Sequence, residues 1–120
     1  MSGSIFTWNP AKKELISSGQ FSMDLSQLIE KEQILRTGLK ASALTKDTRT
    51  GEWYILSSVN KLLLVATPDW KVKSVHRLSS ATFNQPEGIA FDSDRNLYIS
   101  NEGDELGAGN ILKFKYTVQK

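Results

Sequence analysis

The sequence predicts an all-β fold with one short helix, and three observations carry that expectation. From Ala41 onward, short runs of β-branched and aromatic residues follow one another. Turn-forming groups separate them: Thr50-Gly51, Val59-Asn60, Pro68-Asp69, Asp92-Ser93-Asp94 and the glycine-rich stretch Gly103 to Gly109. Finally, one pattern of residues occurs twice.

Taken in order, Ser4 to Trp8 reads as a strand that meets an Asn9-Pro10 turn, and Glu14 to Met23 reads as a second extended segment. The pattern then changes. Asp24 is an expected N-cap, and Leu25, Leu28 and Ile29 share the single face of a short amphipathic helix over 24–32. A further strand is expected around Lys71 to Val75, with the lone His76 just after it.

The repeat lays Lys40 to Asp47 over Gln85 to Asp92, and Trp53 to Ser58 over Leu97 to Glu102. Its offset of about 44 residues, filled by a strand, a turn, a Tyr-containing strand and one or two more, suits the four-stranded blade of a β-propeller. The expected division is therefore 1–40 as the end of a preceding blade with a connecting segment, 41–82 as one blade, and 83–120 as a final blade of one partial propeller. Two blades cannot close a ring, and each has two apolar faces that need neighbours. The expected partners are the remaining blades of a longer chain or further copies of this one.

Composition narrows the function. Fifteen Lys and Arg against thirteen Asp and Glu give a net charge of only +2, with the signs interspersed. No basic run is long enough to track a phosphate backbone, so nucleic acid is not an expected partner. Cysteine is absent, which excludes disulfides and thiolate metal sites. The longest apolar run, Leu62 to Ala66, is far short of the roughly 20 residues a membrane-spanning helix needs. No export signal is legible in the first residues.

The stretch Phe83-Asn84-Gln85-Pro86-Glu87-Gly88-Ile89-Ala90-Phe91-Asp92, followed by Asn96-Leu97-Tyr98-Ile99-Ser100-Asn101-Glu102-Gly103, resembles the SdiA-regulated family of bacterial propellers. The run Trp53 to Leu63 is similar to that family's penultimate repeat. The resemblance covers roughly residues 40 to 116. It implies a propeller of about six blades, of which this is the C-terminal portion, placed in the periplasm or cell envelope. One departure stands out: Arg95 occupies a hairpin position where such proteins usually carry glycine.

If Asp92 pairs with Leu97 across a turn centred on Ser93-Asp94-Arg95, Glu87 falls opposite Glu102. Opposed like charges ask for a cation, a nearby base or a protonated carboxyl. Glu87, Glu102 and Asn101 are thus the candidate metal ligands, and Ca²⁺ is the candidate ion, because the surrounding loop offers only oxygen donors, Asp104 and Glu105 among them. The alternative is that both glutamates cap solvated strand ends. Asp92 to Asn96 begins like an EF-hand loop but lacks its glycine and closing glutamate, so it reads as a hairpin turn. Trp53, Tyr54, Phe91 and Tyr98 are expected to fill the space between blades. No nucleophile elbow or phosphate loop is present, and the sequence leans against an enzyme. A binding module is the first expectation. A metal-dependent hydrolase like the propeller phytases or lactonases, and a purely structural segment, are the alternatives.

Overall fold

The computed structural model describes residues 1–30 and 38–118. Within them the chain forms nine strands and one short helix. Strands β1 (Ser2–Asn9) and β2 (Glu14–Ser22) make a two-stranded hairpin, followed by α1 (Ser26–Glu30). A four-stranded antiparallel meander comes next: β3 (Ala43–Lys46), β4 (Trp53–Ser57), β5 (Leu62–Ala66) and β6 (Val72–Arg77). Strands β7 (Pro86–Phe91), β8 (Leu97–Asn101) and β9 (Asn110–Phe114) form a three-stranded meander. The expected all-β class holds, and the two meanders are consistent with neighbouring blades of a partial propeller.

The helix starts one residue later than an Asp24 N-cap implies. The Leu25 carbonyl accepts the first helical bonds, from the Leu28 and Ile29 amides, while Asp24 Oδ1 accepts the Ser26 amide at 2.9 Å. Asp24 therefore caps from just outside the helix, by satisfying an otherwise orphan donor. Leu25 and Leu28 are buried and Ile29 is half-buried, as the spacing predicts. Positions 31 and 32 of the expected helix lie outside the described residues.

The main core is one-sided. On one face of the four-stranded sheet, Ile55, Leu62, Leu64 and Ala66 pack beneath Met23, Leu25 and Leu28. Each fully buried aliphatic side chain contributes about 1.5–3 kcal/mol through removal from water. The register places Thr45, Tyr54 and Val65 on the opposite face, with Ala43, Leu56 and Leu63 beside them. This face meets the second meander: the Tyr54 and Phe91 rings pack edge to face with centroids 4.8 Å apart, and Ile99 is 1% exposed. Tyr54 and Phe91 thus fill the space between sheets as expected. Trp53 stacks instead on Trp70 in the turn between β5 and β6, and Trp70 stacks in turn on Phe21 of the hairpin. His76 lies within β6 rather than after it, exposed beside the Ser74 hydroxyl.

Four hairpin turns end on a non-glycine residue with positive φ: Lys13, Lys61, Trp70 and Arg95. At Arg95 the geometry is a three-residue loop, with the Arg95 amide donating to the Asp92 carbonyl at 3.1 Å and the Asp92 amide donating to the Asn96 carbonyl at 3.0 Å. A type I turn needs a left-handed residue at this point to rejoin the twisted ladder. The arginine at a glycine-preferring position therefore adopts the glycine conformation, and its side chain supplies contacts that glycine lacks.

Candidate functional site

Asp47 and Asp92, the last residues of the repeat's first matched segment, each open a turn and hold it by accepting backbone amides from within it. Asp47 Oδ1 accepts the Arg49 amide at 3.0 Å, and Asp92 Oδ1 accepts the Asp94 and Asn96 amides at 2.9 Å. Their second oxygens differ in use. Asp92 Oδ2 accepts its own sheet's Asn96 Nδ2 and Tyr98 hydroxyl, each at 3.0 Å. Asp47 Oδ2 accepts Arg95 Nη2 of the neighbouring sheet at 2.8 Å. In the same place Arg49 Nη2 donates to the Ser93 carbonyl at 2.8 Å. The two turns are therefore latched by crossed arginines, and the Arg95 guanidinium also lies over the Tyr116 ring at 4.3 Å.

Burial pushes the Asp47 carboxyl up, but the bonds from Arg95 and the Arg49 amide outweigh it and hold the group below the ordinary carboxylate range. The bond from the Asn96 side chain leads a set that lowers Asp92 to about 2. Sequence reasoning missed the latch. Its one visible signal was the repeated aspartate, which is ambiguous because turns favour Asp for local reasons alone.

At the opposite end of the hairpin, the structure corrects the expected register. Phe91, not Asp92, pairs with Leu97, and a bulge between Pro86 and Gly88 shifts the ladder again, so that Pro86 pairs with Asn101. Glu87 is the extra residue of that bulge and does not stand opposite Glu102. The Glu102 amide instead donates to the Gln85 carbonyl at 2.8 Å. Both carboxylates are exposed and flank the same pair, one step to either side of Pro86 and Asn101.

Asn101 is buried, at 6% exposure. Its Nδ2 donates to the Thr82 carbonyl at 3.2 Å and to Asn110 Oδ1 at 2.8 Å. Its Oδ1 is buried with no donor facing it. Close by in sequence, the Phe83 and Asn84 carbonyls accept the Lys61 ammonium, whose backbone is held in the left-handed turn described above.

Asp104 Oδ1 is used within its own loop, accepting the Leu106 and Gly107 amides at 2.9 and 3.0 Å. Among the described residues, no three His, Cys, Asp or Glu side chains converge as a metal cluster. A cleft of about 280 Å³ under the hairpin is lined largely by apolar side chains, including Met1, Phe21, Leu44, Ile55 and Trp70, and takes in none of Glu87, Asn101 and Glu102.

Repeated antiparallel meanders, packed against each other and latched turn to turn, define an all-β protein whose sheets are consistent with partial propeller blades. The comparison with protein families places it further: residues 4–105 match the family described as SdiA-regulated, and the chain belongs to that family. No curated protein and no solved structure matched it. No helix among the described residues is long and apolar enough to cross a membrane.

Proposed function

We propose that this chain is a two-blade portion of a β-propeller serving as a binding module at the cell envelope, with a Ca²⁺ site at the edge carrying Glu87, Asn101 and Glu102. The observation that supports this reading best is the buried Asn101 Oδ1, an acceptor without a protein donor. Such groups are costly to bury unless a water or a cation meets them. Two exposed carboxylates flank the Pro86 and Asn101 pair from either side. All three are hard oxygen donors, which Ca²⁺ prefers, and they fall short of its usual six to eight ligands, leaving the rest to water, backbone carbonyls or a neighbouring blade. The envelope placement rests on kinship with the family.

Calorimetric titration of the chain with CaCl₂ tests the metal reading. A saturable heat that is lost in Glu102→Gln and weakened in Glu87→Gln is the expected result. No heat with the wild-type chain would leave the glutamates as solvated strand ends and the module as a structural one.

A further inference from the structure

We propose that Lys61 is a positioning residue for the candidate site. Its ammonium, seated on backbone carbonyls, holds the connector between β6 and β7 so that the Asn101 amide points only one way. This role rests on the reading of Asn101 as a ligand.

The connector, residues 78–85, carries the chain from one sheet to the next. Lys61 brackets it. At its start, the Leu78 amide donates to the Lys61 carbonyl at 2.9 Å. At its end, the Lys61 ammonium donates to the Phe83 carbonyl at 2.9 Å and also to the Asn84 carbonyl. Between these points the chain coils on Ser79, whose carbonyl accepts the Thr82 and Phe83 amides at 3.2 and 2.8 Å. An ammonium is a compact charge with three donors, and its bonds are roughly twice as strong as those between neutral groups.

The turn that carries Lys61 is itself fixed. Ser57 is fully buried, and its hydroxyl donates to Asn60 Oδ1 at 2.7 Å while accepting the Asn60 amide at 3.1 Å. Asn60 Oδ1 also accepts the Lys40 amide at 3.0 Å. Lys61 follows with a φ of 52°, a conformation that costs glycine less. What lysine adds at this point is a side chain long enough to reach the connector.

The orientation of Asn101 depends on where the connector lies. A backbone carbonyl can only accept a hydrogen bond. The Thr82 carbonyl, 3.2 Å from Asn101 Nδ2, therefore requires the nitrogen on its side of the amide, and Nδ2 also donates to Asn110 Oδ1 at 2.8 Å. Turning the amide over would set oxygen against oxygen at Thr82. Oδ1 is thus kept on the other side, buried and without a donor. Thr82 directly precedes the two carbonyls that Lys61 holds, and the Gln85 carbonyl after them accepts the Glu102 amide at 2.8 Å. Four consecutive carbonyls are met from two sheets, and Lys61 supplies the bonds from the first.

The test compares Lys61→Met, which removes the charge, with Lys61→Arg, which keeps it. NMR of isotope-labelled chains in EDTA follows the exchange of the Asn101 side-chain amide protons with solvent. They should be protected in the wild type and in Lys61→Arg, and should lose that protection in Lys61→Met. Ammonium chloride should restore it, whereas tetramethylammonium chloride at equal ionic strength should not, because it has no N–H to donate. Calorimetric titration with CaCl₂ should show binding weakened by about 10–100-fold in Lys61→Met, the usual loss when a group orienting a metal ligand is removed. Absence of calcium binding by the wild type overturns the metal reading alone, and the exchange data then decide the role of Lys61. Asn101 protons as protected in Lys61→Met as in the wild type overturn the proposal. So do equal effects of the two salts, or a calcium affinity that Lys61→Met leaves unchanged. If Lys61→Met does not fold, Lys61→Gln takes its place. Failure of both to fold also overturns the proposal, since Lys61 then supports the whole fold rather than one side chain.

Discussion

The Arg95 guanidinium reaches across two sheets to the Asp47 carboxylate at 2.8 Å, and Asp47 is only 3% exposed. Removing Arg95 leaves a buried carboxylate with its turn amide but without its countercharge. Asp47→Ala is expected to destabilise the chain by about 1.5–3 kcal/mol, the range for hydrogen bonds to charged groups. Arg95→Ala should destabilise in the same direction. Urea unfolding of both single variants and the double variant closes the cycle, and strict additivity would show that the two groups do not act as a pair.

Acid should weaken the same end of the molecule. Asp92 sits at about 2 against an ordinary value of 3.8, and Asp47 is also lowered. A carboxylate whose folded pKa is depressed adds stability above its unfolded pKa and loses it as pH falls through the folded one. Melting temperature should therefore be flat above pH 5 with respect to these groups and fall between about pH 4 and 2. Asp92→Asn should flatten part of that fall; an unchanged acid limb in this variant would contradict the assignment.

The left-handed turn residues divide into two kinds. Lys13 has a φ of 51° at the exposed tip of the β1–β2 hairpin, whereas Lys61 clamps two carbonyls and Arg95 holds Asp47. Lys13→Gly relieves the left-handed backbone and should be neutral to stabilising by up to about 1 kcal/mol, since glycine also loses more freedom on folding. Lys61→Gly and Arg95→Gly should destabilise despite the same relief. Thermal denaturation of the three variants checks the ordering.

In the loop between β8 and β9, glycine is required by space. A Cβ on Gly103 would meet the Gly109 amide nitrogen at 2.6 Å, and one on Gly109 would meet the Asn101 carbonyl oxygen at 2.7 Å. Both obstacles are backbone atoms and cannot swing away. Gly103→Ala and Gly109→Ala should each speed amide exchange in this loop and at the β8–β9 ladder. Gly107→Ala, which meets nothing within 4 Å, serves as the tolerant control. Equal exchange in all three would show that the loop is not closely held.

Strand content and order were legible because period, turn residues and the repeat of Lys40–Asp47 over Gln85–Asp92 are local properties. The helix was legible for the same reason, through the spacing of Leu25, Leu28 and Ile29. Register was not. The reading of Asp92 opposite Leu97 fails by one residue because Arg95 can enter the left-handed region and shorten the loop, a choice fixed by backbone geometry. Pro86, with no amide hydrogen to give the ladder, sits at the bulge that then displaces Glu87. Together these two steps separate the carboxylates that the sequence set face to face.

What the chain determined by itself was an all-β repeat with charged strand ends, since alternation and turn chemistry act between near neighbours. Tertiary structure alone decided which ends meet. Asp47 and Asp92 have the same local role, yet only Asp47 faces an arginine of another sheet. Burial between stacked sheets then makes that contact matter, because an ion pair shielded from water is strengthened and an unpaired charge there is penalised.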